Sequence, residues 1–402
     1  MVRGPRGSFK APGMGQAGHE NKSALPPPAF PLAFFPVFPD VADMNFVHAF
    51  QDALLDWFAK HRRDLPWRRD YAPYKIWISE IMLQQTQMDR GVDYFNRWIA
   101  RFPDVHSVAL AHEDEIMRLW EGLGYYRRAR NLHKTARIIV TNNQGIFPDT
   151  PRDLAALPGI GPYTAAAIAS IAFEQPVPVV DANVSRVLSR IFDIDTLITA
   201  SSTRRILEDK ARGLLSGSSP RDFNQAIMEL GALVCTKSPS CLACPLRSLC
   251  ASLAKGNMLE RPVTRKPPSI IPLTMASGIL VHQERIFIQK RQDDDVWANL
   301  WEFPGGCVIP GETPRTAVVR EFLEETEILV SAQKKVAEIR HSYTRYRVTL
   351  HAYLCMAAPP IRPVLHAAQD CRWVLPEELD QFAFPTSHRK LIDMLFKKKF
   401  AG

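Results

Sequence analysis

The chain of 402 residues carries 50 Lys and Arg against 42 Asp and Glu, a formal charge of +8, and is 46% hydrophobic. That length exceeds what one core usually organises, so two domains are expected, and no apolar run is long enough to span a membrane. The basic balance suits a polyanionic partner, while seven cysteines in a chain of this length exclude a disulfide framework.

In chain order, residues 1–45 read as a disordered Pro/Gly-rich extension. Pro26-Pro27-Pro28 and the Phe/Pro tract ending at Pro39 have no helix or strand period. Met44 is a candidate start, which N-terminal sequencing of the native protein would test. Phe46, Phe50, Leu54, Trp57 and Phe58 then fall at helical spacing, and helical patterns continue to about residue 253. The expected first domain, 46–253, is therefore all-α. Residues 254–272 form a Pro-rich, basic linker. From 273 to 398 the period changes to two, with strands expected at 278–281 and 285–289 around a turn, and at 347–356 and 371–375. A helix near 313–325 makes this second domain α+β.

Four stretches carry chemistry. Glu80 lies among Trp77, Ile78, Ile81, Met82 and Leu83, company that buries a carboxyl and raises its pKa. A raised pKa is what a general acid needs, although a buried Glu is equally a structural ion-pair partner. Gln84, Gln85 and Gln87 follow, as surface residues or as partners for base edges. The run Leu157-Pro158-Gly159-Ile160-Gly161-Pro162-Tyr163-Thr164 reads as a hairpin into a helix. Gly159 and Gly161 permit the turn, and the helix start offers its amides to a phosphate; the plain alternative is an ordinary helical turn. Asp181, in an apolar segment beyond that helix, needs a task or a partner. Cys235, Cys241, Cys244 and Cys250 offer four thiolates in sixteen residues, for a tetrahedral zinc or a [4Fe–4S] cluster in a reducing compartment.

With L-P-W-R (residues 65–68), W-I-S-E-I-M-L-Q-Q-T-Q (77–87), G-L-G-Y-Y-R-R-A-R-N-L (122–132) and V-D-A-N-V-S-R-V (180–187), the chain resembles MutY-type adenine DNA glycosylases from about residue 46 to its end. The resemblance implies a helix-hairpin-helix domain followed by a Nudix-like one, removing adenine mispaired with 8-oxoguanine or guanine. It implies that Glu80 protonates the leaving adenine at N7, that Asp181 stabilises the sugar oxocarbenium or traps it covalently before water attacks, and that Tyr163 and Asn183 support them. Arg63, Trp67 and Leu83 would shape the adenine pocket, Gln84 would contact DNA, and Gln85 and Tyr125 would wedge into the stack.

The resemblance further implies a [4Fe–4S] cluster on the four cysteines, although the first gap is five residues where the family usually has six. Endonuclease III-like lyases place a lysine where Tyr163 stands, so strand cleavage should be weak. Gly306, Glu312 and the run 320–325 look like a Nudix box, in which Glu321, Glu324 and Glu325 would hold Mg²⁺ only if the box is active. In that case nucleotide hydrolysis is the alternative, or a second, function. Helical spacing puts those three carboxylates on one face, where they repel, with Arg320 as a possible anchor. Glu327 stands where the box wants glycine. Tyr343 and Thr344, in a loop at 341–345, would contact the lesion. The expected partner is double-stranded DNA with A:8-oxoguanine or A:G mispairs, bound by a monomer in the cytoplasm at a bacterial nucleoid.

Overall fold

The computed structural model describes residues 41–266, 269–295, 297–343 and 345–396. Most of the expected N-terminal extension, residues 397–398, Thr344 and the Tyr343 side chain lie outside them.

The first part is helical throughout: α1 (Met44–His61), α2 (Pro73–Leu83), α3 (Met88–Arg101), α4 (Val105–Leu110), α5 (Glu113–Trp120), α6 (Arg127–Asn143), α7 (Pro151–Ala155), α8 (Pro162–Phe173), α9 (Ala182–Ile191), α10 (Ser201–Leu215), α11 (Pro220–Leu233) and α12 (Ala251–Ala254). The first helix begins two residues before Phe46 because Asp43 caps it, accepting from the Asn45 amide. Two apolar cores form. One gathers Trp77 of α2, Trp98 of α3, Trp120 of α5 and Ile168 of α8. The other gathers Phe50 of α1, Leu188 of α9, Leu214 of α10 and Phe223 of α11. Met228 packs against both. Glu80 thus rides on an element of the first core, and Asp181 stands at the start of an element of the second.

The second part is a sheet of β1 (Ile271–His282), β2 (Arg285–Arg291), β3 (Trp301–Glu302), β4 (Gly305–Cys307), β5 (Val330–Tyr343), β6 (Tyr346–Ala357) and β7 (Ala368–Val374), with α13 (Pro314–Thr326) and α14 (Thr386–Leu395). The path runs β3-β2-β1-β6-β5, with β4 against β1 and β7 against β2. Strand alternation assigns the faces. Leu280 turns toward Val318 and Phe322 of α13. Its neighbour Ile279 turns toward Leu391 and Ile392 of α14.

Several boundaries differ from the sequence reading. Strand β1 starts at Ile271, so Pro272 is inside a strand, beside Arg347 of β6. The linker is also less free than its composition suggests, since Val263 bridges back to Leu197. Residues 341–343 are not a loop: they end β5, paired with Val348, Arg347 and Tyr346 of β6. The two parts share packing, with Leu300 and Ala383 buried in the first helical core. Glu121 pairs with Arg389, and Lys290 with Asp114 at 2.8 Å.

Candidate active site

Glu80 is 8% exposed, and burial pushes its carboxyl up to about 7; the nearby Asp181 charge adds to this and the Tyr163 hydrogen bond opposes it. The Tyr163 hydroxyl donates to Glu80 Oε2 at 3.2 Å. Tyr163 occupies the first turn of α8, so the hairpin that ends at Gly161 aims it. Gly159 has φ +79°, and a Cβ there would fall 2.6 Å from Asn131. Gly161 differs from the expectation: it is extended, with φ −82°, and serves as the N-cap. A Cβ at Gly161 would meet nothing within 4 Å, so the α8 N-terminus is open to an approaching backbone.

Asp181 is the N-cap of α9, which explains an acid at the end of an apolar stretch. It accepts from the Val184 amide at 2.6 Å and from Asn183 Nδ2 at 2.9 Å. Burial raises its pKa, and those same donors oppose the rise. The segment leading into it is stapled by Asn224, which accepts from the Val179 amide and donates to Val177 O, each at 2.9 Å. Arg186 donates to Asn183 Oδ1 at 2.8 Å and to Cys235 O at 2.7 Å.

The sequence reading missed Glu229. This buried carboxylate on α11 accepts from Arg63 Nε and Nη2, both at 2.8 Å, and from Arg68 Nη2 at 3.0 Å. Burial would raise its pKa, but the two guanidinium partners bring it down to about 2. Arg63 is therefore committed to an ion pair, and of the two guanidiniums it is Arg68 whose charge reaches Glu80. Trp67 is in the first core, edge-on to Phe95 at 5.0 Å. Leu83 is half-buried, and Gln84 donates to Thr164 Oγ1 at 3.1 Å. Gln85 and Tyr125 are both exposed.

Cys235, Cys241, Cys244 and Cys250 line one cavity with Arg190 and Leu246, and none is in a disulfide. Arg190 is 3% exposed and donates to Cys235 Sγ at 3.2 Å and to Thr236 O at 2.6 Å. Among the described residues it pairs with no carboxylate. A buried cation without an anion is costly; burial pushes the Cys241, Cys244 and Cys250 thiols up, so they would supply the charge it lacks only as thiolates bound to a metal. Two further donations, to Met258 O at 2.9 Å and Arg261 O at 3.1 Å, tie the shortened first cysteine gap to the chain beyond α12.

In the second part, Arg320 donates to Glu312 at 2.9 Å, Glu321 at 2.9 Å and Glu324 at 3.0 Å. The repulsion expected between Glu321 and Glu324 is relieved within the chain. Glu325 is turned inward, accepting from Gln289 at 2.9 Å and from the Gly305 amide at 3.2 Å, and burial pushes its pKa to about 8. Glu327 does take the glycine-like position, with φ +56° at the α13 C-cap.

Known proteins resemble the chain over most of its length. The family described as HhH-GPD superfamily base excision DNA repair protein matches residues 78–212, and the NUDIX domain family matches 276–394. Adenine DNA glycosylase of Rattus norvegicus is 33% identical over 90% of this chain and 80% of its own. That of Buchnera aphidicola subsp. Schizaphis graminum is 35% identical over 76% of this chain and 86% of its own. The structure of a thermostable thymine-DNA glycosylase covers 54% of this chain and 100% of that one, at 27% identity and TM-score 0.48. The chain belongs to the adenine DNA glycosylase family. As a base-excision repair glycosylase it hydrolyses the N-glycosidic bond of adenine in DNA.

Proposed function

We propose that the enzyme excises adenine mispaired with 8-oxoguanine, with guanine as a second opposite base. The observation that supports this most is Glu80, a buried carboxyl at about 7 joined to Tyr163 and set near Asp181. With the adenine extruded, Glu80 gives its proton to N7 as the C1′–N9 bond breaks and the bonding electrons leave with the base. Positive charge then develops on the sugar ring, opposite the Asp181 carboxylate that Asn183 and the Val184 amide hold in place. Water adds to C1′ and gives its proton to the Glu80 carboxylate, which restores the acid and leaves an abasic strand. Tyr163 has no amine, so no Schiff base forms at that position and the strand stays intact.

Gln85 and Tyr125 fill the gap left by the extruded base, whose unstacking costs a few kcal/mol. The amides at the start of α8 take a phosphate of the same strand. The four cysteines hold a [4Fe–4S] cluster, which fixes their loop; support comes from their shared cavity and from the buried Arg190 beside Cys235. Cytoplasmic DNA at a bacterial nucleoid, where thiols stay reduced, suits this ligand set. The domain from 273 to 398 reads the opposite base, and the self-contained pairing of Arg320 with the acidic box favours a reader over a nucleotide hydrolase.

The test is single-turnover excision from duplexes with adenine opposite 8-oxoguanine, guanine or thymine, beside duplexes with uracil or thymine glycol. Fastest release from A:8-oxoguanine is expected. Equal release opposite all three bases would refute the proposed specificity.

A further inference from the structure

Gln85, just after α2, has φ +58°, and Tyr125, in the turn between α5 and α6, has φ +49° and is 40% exposed. A left-handed backbone is disfavoured for residues with a Cβ, so each conformation must be held by its surroundings. Trp120 Nε1 donates to Gly124 O at 3.1 Å, and one side chain reaches both loops. Arg128, in the first turn of α6, donates through Nη1 to Ile81 O at 2.8 Å and to Gln84 O at 2.6 Å. Through Nη2 it donates to Gly124 O at 3.1 Å and Leu123 O at 3.3 Å. The guanidinium carbon also lies 5.3 Å from the Trp120 ring centre and 5.6 Å from that of Tyr125.

The chemistry explains why an arginine is used. Ile81 and Gln84 carry carbonyls at the C-terminal end of α2, where helix geometry leaves them unpaired and the dipole favours a cation. Leu123 and Gly124 carry carbonyls in the turn immediately before Tyr125. Only a planar fork reaches both sets at once; a lysine offers one point charge. Burial of this cation is expensive and lowers its pKa to about 10, and among the described residues its hydrogen-bond partners are all backbone carbonyls. A merely structural tie could be made more cheaply by apolar packing.

We infer that Arg128 is a positioning residue that locks Gln85 and Tyr125 into one two-pronged blade, so that both enter the duplex together. This rests on the proposed wedge role of those two side chains. Arg128 touches neither the target base nor the reacting carbon; it acts through the two loops.

The experiment uses the full chain with Glu80→Gln, which leaves the base attached, and a duplex carrying 2-aminopurine at the target position opposite 8-oxoguanine. Fluorescence then reports extrusion alone. Arg128→Lys and Arg128→Gln are each combined with Gln85→Ala and with Tyr125→Ala in double-mutant cycles, and folding is followed by circular dichroism. Either Arg128 change should lower the extruded fraction about tenfold, as loss of a charged hydrogen-bond set would. Added to Gln85→Ala or Tyr125→Ala, it should cost little more, because the same blade is already broken. Unchanged extrusion in a folded Arg128→Lys protein, effects that simply multiply, or loss of the fold in both Arg128 variants would overturn the inference. Full extrusion in both Gln85→Ala and Tyr125→Ala would instead sink the wedge reading.

Discussion

Tyr163 donates its hydroxyl to Oε2 of Glu80 across 3.2 Å, so the proposed acid is held by a phenol from the hairpin helix. That hydrogen bond lowers the Glu80 pKa against the larger effect of burial. Tyr163→Phe removes the donor without removing the ring. The pH–rate profile should keep its shape while its alkaline limb moves to higher pH, since the carboxyl then keeps its proton longer. A limb that stays put, or moves to lower pH, would separate Tyr163 from the titrating group.

Glu80 also makes a stability prediction of definite sign. Its native pKa of about 7 lies above the ordinary value of 4.5. Below 4.5 both folded and unfolded chains hold this proton. Between 4.5 and 7 only the folded chain does, so stability falls as pH rises through that window. Glu80→Gln should therefore melt higher than wild type at pH 8, by roughly 2–3 kcal/mol in unfolding free energy. The difference should shrink toward pH 4.5. A gap independent of pH would show that the carboxyl is not perturbed by its burial.

What the sequence made legible follows from how local the signals are. Glu80 and Asp181 are readable because each is an acid embedded in an apolar run, a local contradiction that demands an explanation. The cysteines are readable through their spacing. Glu229 is not, because its partners Arg63 and Arg68 lie more than 160 residues away along the chain. Arg128 stands in a recognisable run, but its acceptors are carbonyls, which no side-chain pattern advertises. Strand β5 escaped notice for another reason: register shifts between Ala332, Lys335 and Ala337 break the alternation that reveals strands. The β1–β2 turn was readable, and Gln283 and Glu284 adopt φ +48° and +62° there.

Glu229 should behave as the opposite electrostatic case. Its pKa of about 2, set by Arg63 and Arg68 against burial, contributes stability above the ordinary carboxylate value that is lost as pH falls toward 2. Glu229→Gln leaves two guanidiniums without their buried anion and should cost about 3–5 kcal/mol at pH 7. Denaturant melts at pH 7 and pH 3 check this; a variant as stable as wild type at pH 7 would contradict it.

The cysteine group predicts a coloured protein. Purified without oxygen, the full chain should contain about four irons and absorb across the visible range. Cys241→Ser should lose iron, colour and much of the duplex affinity. Stoichiometric zinc in protein made with ample iron would decide for the mononuclear alternative.

The central claim, that Glu80 supplies the proton and Asp181 faces the sugar cation, is tested most directly by single-turnover excision. Wild type, Glu80→Gln and Asp181→Asn should be compared on one A:8-oxoguanine duplex, under conditions where each protein is shown to bind it. The account predicts adenine release by wild type, with a strand that breaks only after alkali and no adduct trapped by borohydride. Both variants should bind and yet be slower by about 10²–10⁴-fold. Near-wild-type release by either variant would contradict the assigned roles.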